Sequence, residues 1–578
     1  MRDYFTSEQK ERISVGILVI VALLRFVNLG FLDLQAWDEA IYAVRAEGIL
    51  RFGGFLDQTP FAIGGLYSSF HPPLYVWLTS LSFALFGVTE FAARFFSAFF
   101  GGLTILVIYR IGRNLQSKHL GFLAAMIYAL NPFVTVFARQ GQFDTTLVFF
   151  LSLCILLYQR MEADNRVRSA LLAGLALGLA LMTKLFVGLG VPLAYVLWRM
   201  LIPKGSQRSP WSLFVISLGV SFIVAAPWHI YMTLTQGAGD PLFFLQASSI
   251  LDRSLHGIEG NAKPLEGLYY VNQLVVLFSF GVIWFGYGLY RIFKTRDPQW
   301  LLLASWFTVY FVVFTLMRTK LDFYLLPMLV PASLISGRII LESRGGVHSE
   351  KVIAWLILGT GISVAWASSQ TWRYLVKYAL ARISHAGLPG AQELLAILPF
   401  LLLLTSLIIL LSYIYRAGKL DQVRSVLPTL ILVPLFILTF YNIVWNDRYR
   451  YKDGASELAR FVDQREPSVL VVAGFDRNPQ LSFYLEGADM GWRDDLEIRR
   501  VVPPADRRQF KTWLSAQTSN LPIDALVVVE KDKFIRYEWV TAEEVNPLDY
   551  SLVFDSRRYA VFQRLPSTQL ALNPRQPL

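Results

Sequence analysis

Asp38, Glu39, His71, Arg139, Asp144, Lys184, Arg318 and Lys320 sit in the polar breaks of an otherwise apolar chain. As a set they suit the transfer of a group away from a phosphate. An attacking hydroxyl must lose its proton as the new bond forms, and a carboxylate within reach can take it. The departing phosphate carries negative charge through the transition state, which Arg and Lys side chains in a partly dry site stabilise. If that phosphate carries a lipid tail, the tail stays in the bilayer, which would explain why the machinery is embedded.

Each residue also has a purely structural explanation. Asp38 could serve as the N-cap of a helix starting at Glu39, and Asp144 as the cap of a span starting at Thr145. Lys184 could be a snorkelling cation at the negative end of a helix dipole. Arg318 and Lys320 could anchor a helix at the membrane interface. His71, ahead of Pro72-Pro73, could simply occupy an extended turn. What these explanations leave unaccounted for is that all of the residues fall on one side of the membrane.

Composition sets the class. Of 578 residues, 54% are hydrophobic, 16% charged and 15% aromatic, and the mean hydropathy is +0.46. A soluble globular chain carries about 25% charged residues, so this is a membrane protein. The net charge of +11 is scattered over short loops rather than gathered into a basic run with interleaved aromatics, which argues against a nucleic-acid partner. The single cysteine, Cys154, excludes an internal disulfide. No small-residue cleavage site follows the first apolar run; Arg25 and Asn28 stand there instead, so an uncleaved first span is expected.

Apolar runs long enough to span predict thirteen helices, at 13–31, 91–109, 119–137, 145–158, 169–183, 185–198, 211–231, 268–290, 300–317, 322–340, 352–369, 394–414 and 427–445. With a cytoplasmic N-terminus, seven inner segments follow, each with three Lys or Arg, from Arg2/Lys10/Arg12 through Arg199/Lys204/Arg208 to Arg416/Lys419/Arg424. The positive-inside bias predicts that pattern. Merging 169–183 with 185–198 would move the later clusters outside.

The outer segments are then the loop 31–90, the turns at 138–144, 184 and 318–321, and the loops 232–267 and 370–393. In the first loop, 39–52 reads as a surface helix begun at Asp38 and stopped by Gly53-Gly54. Leu74–Phe86 reads as a helix of about 20 Å, too short to cross and suited to the interface. Beyond 445 the chain turns polar, with strand-like runs Val469–Ala473, Ala525–Val529, Leu552–Phe554 and Tyr559–Phe562 and helical patterns Ala455–Gln464 and Ala505–Leu514. The fold expected is mainly α: a polytopic membrane domain over 1–445 with interfacial helices, and a small soluble α/β domain over 446–578 on the outer face. Neither a glycine-rich phosphate loop nor metal-ligand spacing occurs in that tail.

Trp37-Asp38-Glu39-Ala40-Ile41-Tyr42, followed by His71-Pro72-Pro73-Leu74-Tyr75, resembles the GT-C fold transferases that use polyprenyl-phosphate sugars. The resemblance is to the bacterial aminoarabinose (lipid A) transferases and protein O-mannosyltransferase-like proteins. Glu90-Phe91-Ala92-Ala93-Arg94, Arg139 through Asp144, Thr183-Lys184, Pro227-Trp228, the loop His256-Gly257 to Lys263-Pro264, and Arg318 through Pro327 extend it over roughly 13–335.

The resemblance implies that Asp38 activates the acceptor, and that Arg139, Lys184 and Lys320 hold the lipid phosphate with Tyr324 beside it. Asp144 and Glu39 would line the cavity and position substrate or cations. It also implies a polyprenyl-phosphate-linked sugar donor, a lipid, glycan or protein acceptor, inversion at the anomeric carbon and a plasma (inner) membrane location. No metal is obligatory, although Asp38 and Glu39 could hold a divalent cation. Two departures stand out. Phe70-His71-Pro72 replaces the Glu-Lys-Pro usual in aminoarabinose transferases, and Phe143 replaces a proline often found before the aspartate. They bear on which donor and acceptor are used more than on the reaction type, and leave His71 as a residue tuning substrate choice. The rival readings are a multispan transporter or lipid flippase, which would place its ionisable groups near the midplane of repeated halves, and a non-catalytic scaffold, which would not need clustered cations.

Overall fold

The computed structural model describes residues 6–35, 37–203, 205, 206, 208–247, 254, 255, 268–381, 428, 429, 431–433, 435, 436, 454–473, 479–487, 495–501, 516, 521–530, 550–556 and 558–564. The expected span 394–414, most of 427–445, the segment 256–264 and the helical pattern Ala505–Leu514 lie outside them. Two compact units result. One comprises Met1–Val27, His71–Tyr75 and Ser97–Trp445; the other comprises Asn28–Phe70, Val76–Phe96 and Asn446–Leu578.

The first unit is helical. Among the described residues, five helices are long and apolar enough to cross a membrane: Glu90–Leu115, Phe143–Asp164, Trp211–Thr235, Pro298–Leu316 and Asp322–Arg344. The helix Ser7–Leu23 starts earlier than the first apolar run, because Thr6 and Gln9 form a capping box, with Gln9 N–H on Thr6 Oγ1 at 3.2 Å and Thr6 N–H on Gln9 Oε1 at 2.7 Å. Asn165, at φ +51°, turns Phe143–Asp164 sharply into Val167–Leu181. That second helix meets Trp211–Thr235 at Gly174 and Gly178. A methyl there would stand 2.4 Å from Ser217 O and 2.6 Å from Val224 Cβ respectively. Small residues four apart let the two backbones close up, as is usual for helices packed in lipid.

Two expected spans are interrupted. The 119–137 run divides into Lys118–Ala129 and Pro132–Phe137, since Asn131 caps the second piece through Val134 N–H at 3.1 Å and Pro132 opens it. The 268–290 run divides into Tyr269–Leu277 and Val282–Thr295, where the Phe278 ring fills the space a side chain at 281 would need. Glu350–Ala381 continues past the expected end at 369, so the outer loop expected from 370 is helical at its start.

The second unit holds a five-stranded sheet, in order β2-β1-β3-β5-β4, from β1 Val469–Ala473, β2 Glu497–Val501, β3 Leu526–Glu530, β4 Tyr550–Asp555 and β5 Tyr559–Arg564. β1 pairs parallel with β2 and β3; β5 pairs antiparallel with β3 and β4. Four of these strands match apolar runs. β2 was not expected: Glu497 and Arg499 lie exposed on this edge strand, so no apolar run marks it. The helix Ala455–Arg465 packs Leu458 and Val462 onto one face of the sheet with Leu470, Leu526 and Val561.

Candidate functional site

Lys184 stands in the turn after Val167–Leu181 with extended backbone, φ −156° and ψ 98°. Its N–H bonds back to Ala180 O at 2.9 Å, and Met182 O accepts Leu74 N–H at 3.2 Å. The ammonium lies 4.6 Å from the centre of the Phe143 ring, 5.4 Å from Phe323 and 5.5 Å from Tyr324. Rings attract a cation without neutralising it. Asp144 Oδ1 is 3.4 Å away, at the long end for an ion pair. The expected cap role does not fall to Asp144: the helix begins at Phe143 with Gln142 at its N-cap, so Asp144 lies in the first turn, where the dipole favours a carboxylate.

His71 is half-buried and its ring lies 5.0 Å from that of Phe143. The two departures from the family pattern are therefore a contacting pair, and one of them also faces Lys184. A short relay holds this end in place: Tyr75 Oη and Ser97 Oγ are 3.0 Å apart, and Ser97 Oγ donates to Gln142 O at 2.9 Å, just before Phe143.

Tyr324 is buried and stacks on Phe314 with 4.6 Å between ring centres. Lys320 is buried on the preceding turn. Its ammonium donates to Phe314 O at 3.0 Å, Thr315 O at 2.7 Å and Met317 O, which satisfies carbonyls left open where Pro298–Leu316 ends. Burial lowers its pKa. Arg318 is exposed. Arg139 Nη1 donates to Arg25 O at 2.9 Å and Val27 O at 2.6 Å, pinning the chain where the first helix gives out. Thus His71, Phe143, Asp144, Lys184 and Tyr324 are linked by direct contacts, while Lys320 and Arg139 are each engaged with backbone.

Asp38 and Glu39 belong to the second unit and open the helix Asp38–Phe52. The helix ends where expected, at Gly53 with φ +86°. Its start differs, because Trp37 takes the N-cap and Asp38 is the first helical residue, so capping is not Asp38's role. Nor is it a surface helix, since Glu39 through Ile49 are all buried. Asp38 is half-buried. Glu39 is 1% exposed and paired on both oxygens with Arg94, at 2.8 and 2.9 Å, while Oε2 also accepts Gln35 N–H at 2.8 Å. Arg94 donates further to Leu29 O, Leu32 O and Asp33 O. Glu39 thus fixes the strap leading into Asp38.

The strap is held from the other side as well. The buried Asp33 carboxylate accepts Gly454 N–H and Ala455 N–H at 3.0 Å each and Ser456 Oγ–H at 2.6 Å, capping Ala455–Arg465 from far away in sequence. Leu34 N–H donates to Tyr484 Oη at 2.9 Å, Leu34 O accepts Gln480 Nε2 at 2.6 Å, and Tyr484 Oη donates to Glu90 at 3.0 Å. Burial and the neighbouring Glu90 raise the Tyr484 phenol well above its usual range. Deeper in the same unit, Arg45 bonds Gln58 Oε1 and Ser68 O, and burial pulls its pKa down to about 10. Among the described residues, no three or more His, Cys, Asp or Glu side chains gather as metal ligands.

The family described as dolichyl-phosphate-mannose-protein mannosyltransferase matches residues 70–231. The chain is 25% identical over 328 residues to an uncharacterized protein of Aquifex aeolicus (strain VF5), covering 56% of this chain and 62% of that one. It is 28% identical over 334 residues to undecaprenyl phosphate-alpha-4-amino-4-deoxy-L-arabinose arabinosyl transferase 2 of Sodalis glossinidius, covering 56% and 59%. The match thus takes in less than two thirds of the length of either relative. The crystal structure of ArnT from Cupriavidus metallidurans bound to undecaprenyl phosphate superposes with a TM-score of 0.63, over 97% of this chain and 99% of that one, at 17% identity. By fold, then, the chain is of the GT-C class. Within that class it is similar to transferases of the aminoarabinose type, as the motifs around Asp38 and His71 had indicated.

Proposed function

We propose that the chain is an integral-membrane glycosyltransferase moving a sugar from a polyprenyl-phosphate donor to a hydroxyl acceptor at the outer face of the membrane. The observation carrying this reading is Lys184, a cation placed over three aromatic rings with a single carboxylate 3.4 Å away. Such a group is held by its rings and by Asp144 and has capacity for a further, anionic oxygen. The crystallised relative holds undecaprenyl phosphate, which supports a lipid phosphate as that anion.

In the proposed reaction the acceptor oxygen attacks the anomeric carbon while Asp38 takes its proton. The bond from that carbon to the phosphate oxygen breaks with inversion, and the polyprenyl phosphate leaves with the bonding pair. Lys184 receives the developing charge and Asp144 holds Lys184 in place. Arg139 and Lys320 join the phosphate by exchanging backbone carbonyls for it, with Tyr324 packing beside. The His71–Phe143 pair selects among sugars. No metal is obligatory; one, if used, would sit near Asp38. The reading includes thirteen spans in a plasma (inner) membrane, a cytoplasmic N-terminus and a soluble outer domain from 446. No feature of the described residues favours a transporter or flippase.

Mass spectrometry of envelope lipids, glycans and glycoproteins after deletion of the gene tests the reading. Loss of one sugar from one acceptor class is expected and would name both. An unchanged envelope would overturn it.

A further inference from the structure

Arg25 is the residue that the proposed reaction does not use and that packing alone does not explain. It lies in the turn Leu24–Phe26 after the first helix and is 1% exposed. Its Nε, Nη1 and Nη2 are all buried, and none has a hydrogen-bond partner among the described residues. The ionisable groups whose charges act on it are the Tyr128 phenol and the Arg139 guanidinium, and neither is a carboxylate. Elsewhere buried guanidinium groups are given acceptors: Arg94 has a carboxylate and three carbonyls, and Arg45 has the oxygens of Gln58 and Ser68. A guanidinium taken out of water with neither a counter-charge nor an acceptor is among the costliest arrangements a fold can hold.

Its location is informative. Where Glu90–Leu115 passes it, a methyl on Gly101 would stand 2.7 Å from Ala138 Cβ, 3.1 Å from Thr145 Cγ2 and 3.5 Å from Arg25 Cδ. Arg25 therefore packs beside both ends of the turn that carries Arg139 and Asp144. Arg139 in turn holds the backbone of Arg25 and Val27. Two guanidinium groups thus share one short stretch, and Asp144 is already engaged with Lys184.

We propose that Arg25, together with Arg139, forms an anion site that takes the phosphate of a phosphorylated lipid. The planar fork of Arg25 offers parallel donors to two phosphate oxygens, a fit that a lysine's single ammonium lacks. This rests on the donor class proposed above and adds a residue and a position to it. An anion arriving there converts the least satisfied charge of the unit into a paired one, so binding and folding are linked at this point.

The test is the apparent melting temperature of the full-length protein in detergent, with and without polyprenyl phosphate, inorganic phosphate or the uncharged polyprenol. Wild type is expected to be stabilised by polyprenyl phosphate and not by polyprenol; a response to inorganic phosphate alone would assign the site to the free ion. Arg25→Met is expected to melt no lower than wild type without ligand, since an unpartnered buried charge is gone, and to bind polyprenyl phosphate at least tenfold more weakly. Arg25→Lys should fall between the two. If Arg25→Met keeps the full ligand shift, Arg25 is not in the site while the lipid-phosphate reading stands. If it melts well below wild type without ligand, the guanidinium serves the fold alone and the proposal fails. If wild type responds to no phosphate, both readings fail.

Discussion

In the unit that carries Asp38, most of the buried charges described are met by an opposite charge or a set of donors, Arg45 with its neutral Gln58 and Ser68 acceptors being the exception. Glu39 meets Arg94 on both oxygens, Asp33 receives three donors, and Arg51 links Glu47 to Glu486. In the unit that carries Lys184, these cations are met differently: Lys184 by rings and one oxygen of Asp144, Lys320 and Arg139 by backbone carbonyls, and Arg25 by no acceptor among the described residues. The contrast suggests a division of labour. In the proposed reaction, the strap held by matched charge precedes Asp38, and the cations met by rings and carbonyls receive the anion. Substitutions in the first region should therefore cost stability, and those in the second should cost binding and turnover.

The largest effect is expected at Asp38, which belongs to the matched unit by location and to the chemistry by its proposed role. Asp38→Asn should lower kcat by on the order of 10²–10⁴, the range for loss of a general base, with the melting temperature unchanged. Within the matched charges, Glu39→Gln leaves Arg94 buried without its counter-charge and should cost about 3–5 kcal/mol; an equilibrium melt would show it, and the loss should shrink when Arg94 is also replaced by Met. Lys184→Met should reduce kcat/KM by about 10²-fold or more, as for removal of a transition-state donor. It also leaves the buried Asp144 without its cation, so stability is compared in an Asp144→Asn background, where little change is expected and a large loss would break the comparison. Asp33→Ala should cost about 1–3 kcal/mol and speed amide exchange in Ala455–Arg465 ahead of the sheet.

The smallest effect concerns pH. Burial raises the Glu47 pKa above its ordinary value, and Arg51 offsets part of that. A carboxyl with a raised folded pKa contributes stability below its unfolded pKa of about 4.3, and loses that contribution as pH climbs through the folded value. Glu47→Gln should therefore flatten the decline in stability between about pH 4 and neutrality, read from melting temperatures across that range.

Much of this was legible in the sequence because local pattern carried it. The helix through residue 52, the short helix Leu74–Phe86 and the turns holding Asp144, Lys184 and Lys320 follow from apolar runs and their polar breaks. Pairings across long separations were not legible. Arg94 was visible as part of a motif, but its partner Glu39 lies 55 positions away, and Asp33 reaches a helix 422 positions on. Glu39 reads in the sequence as a site carboxylate, and its pairing with Arg94 on both oxygens emerges only from the assembled fold. Arg25 had a signal, a single cation closing an apolar run, but it read as an argument about signal cleavage. Burial without a partner becomes apparent only once the helices around Gly101 are assembled.

The central claim is tested most directly by incubating the purified full-length protein with polyprenyl-phosphate sugars and acceptor fractions from the envelope, and following free polyprenyl phosphate by mass spectrometry. Release that accompanies sugar transfer in wild type, and falls at least a hundredfold in correctly folded Asp38→Asn, is the predicted result. Equal release by the two proteins would contradict the account.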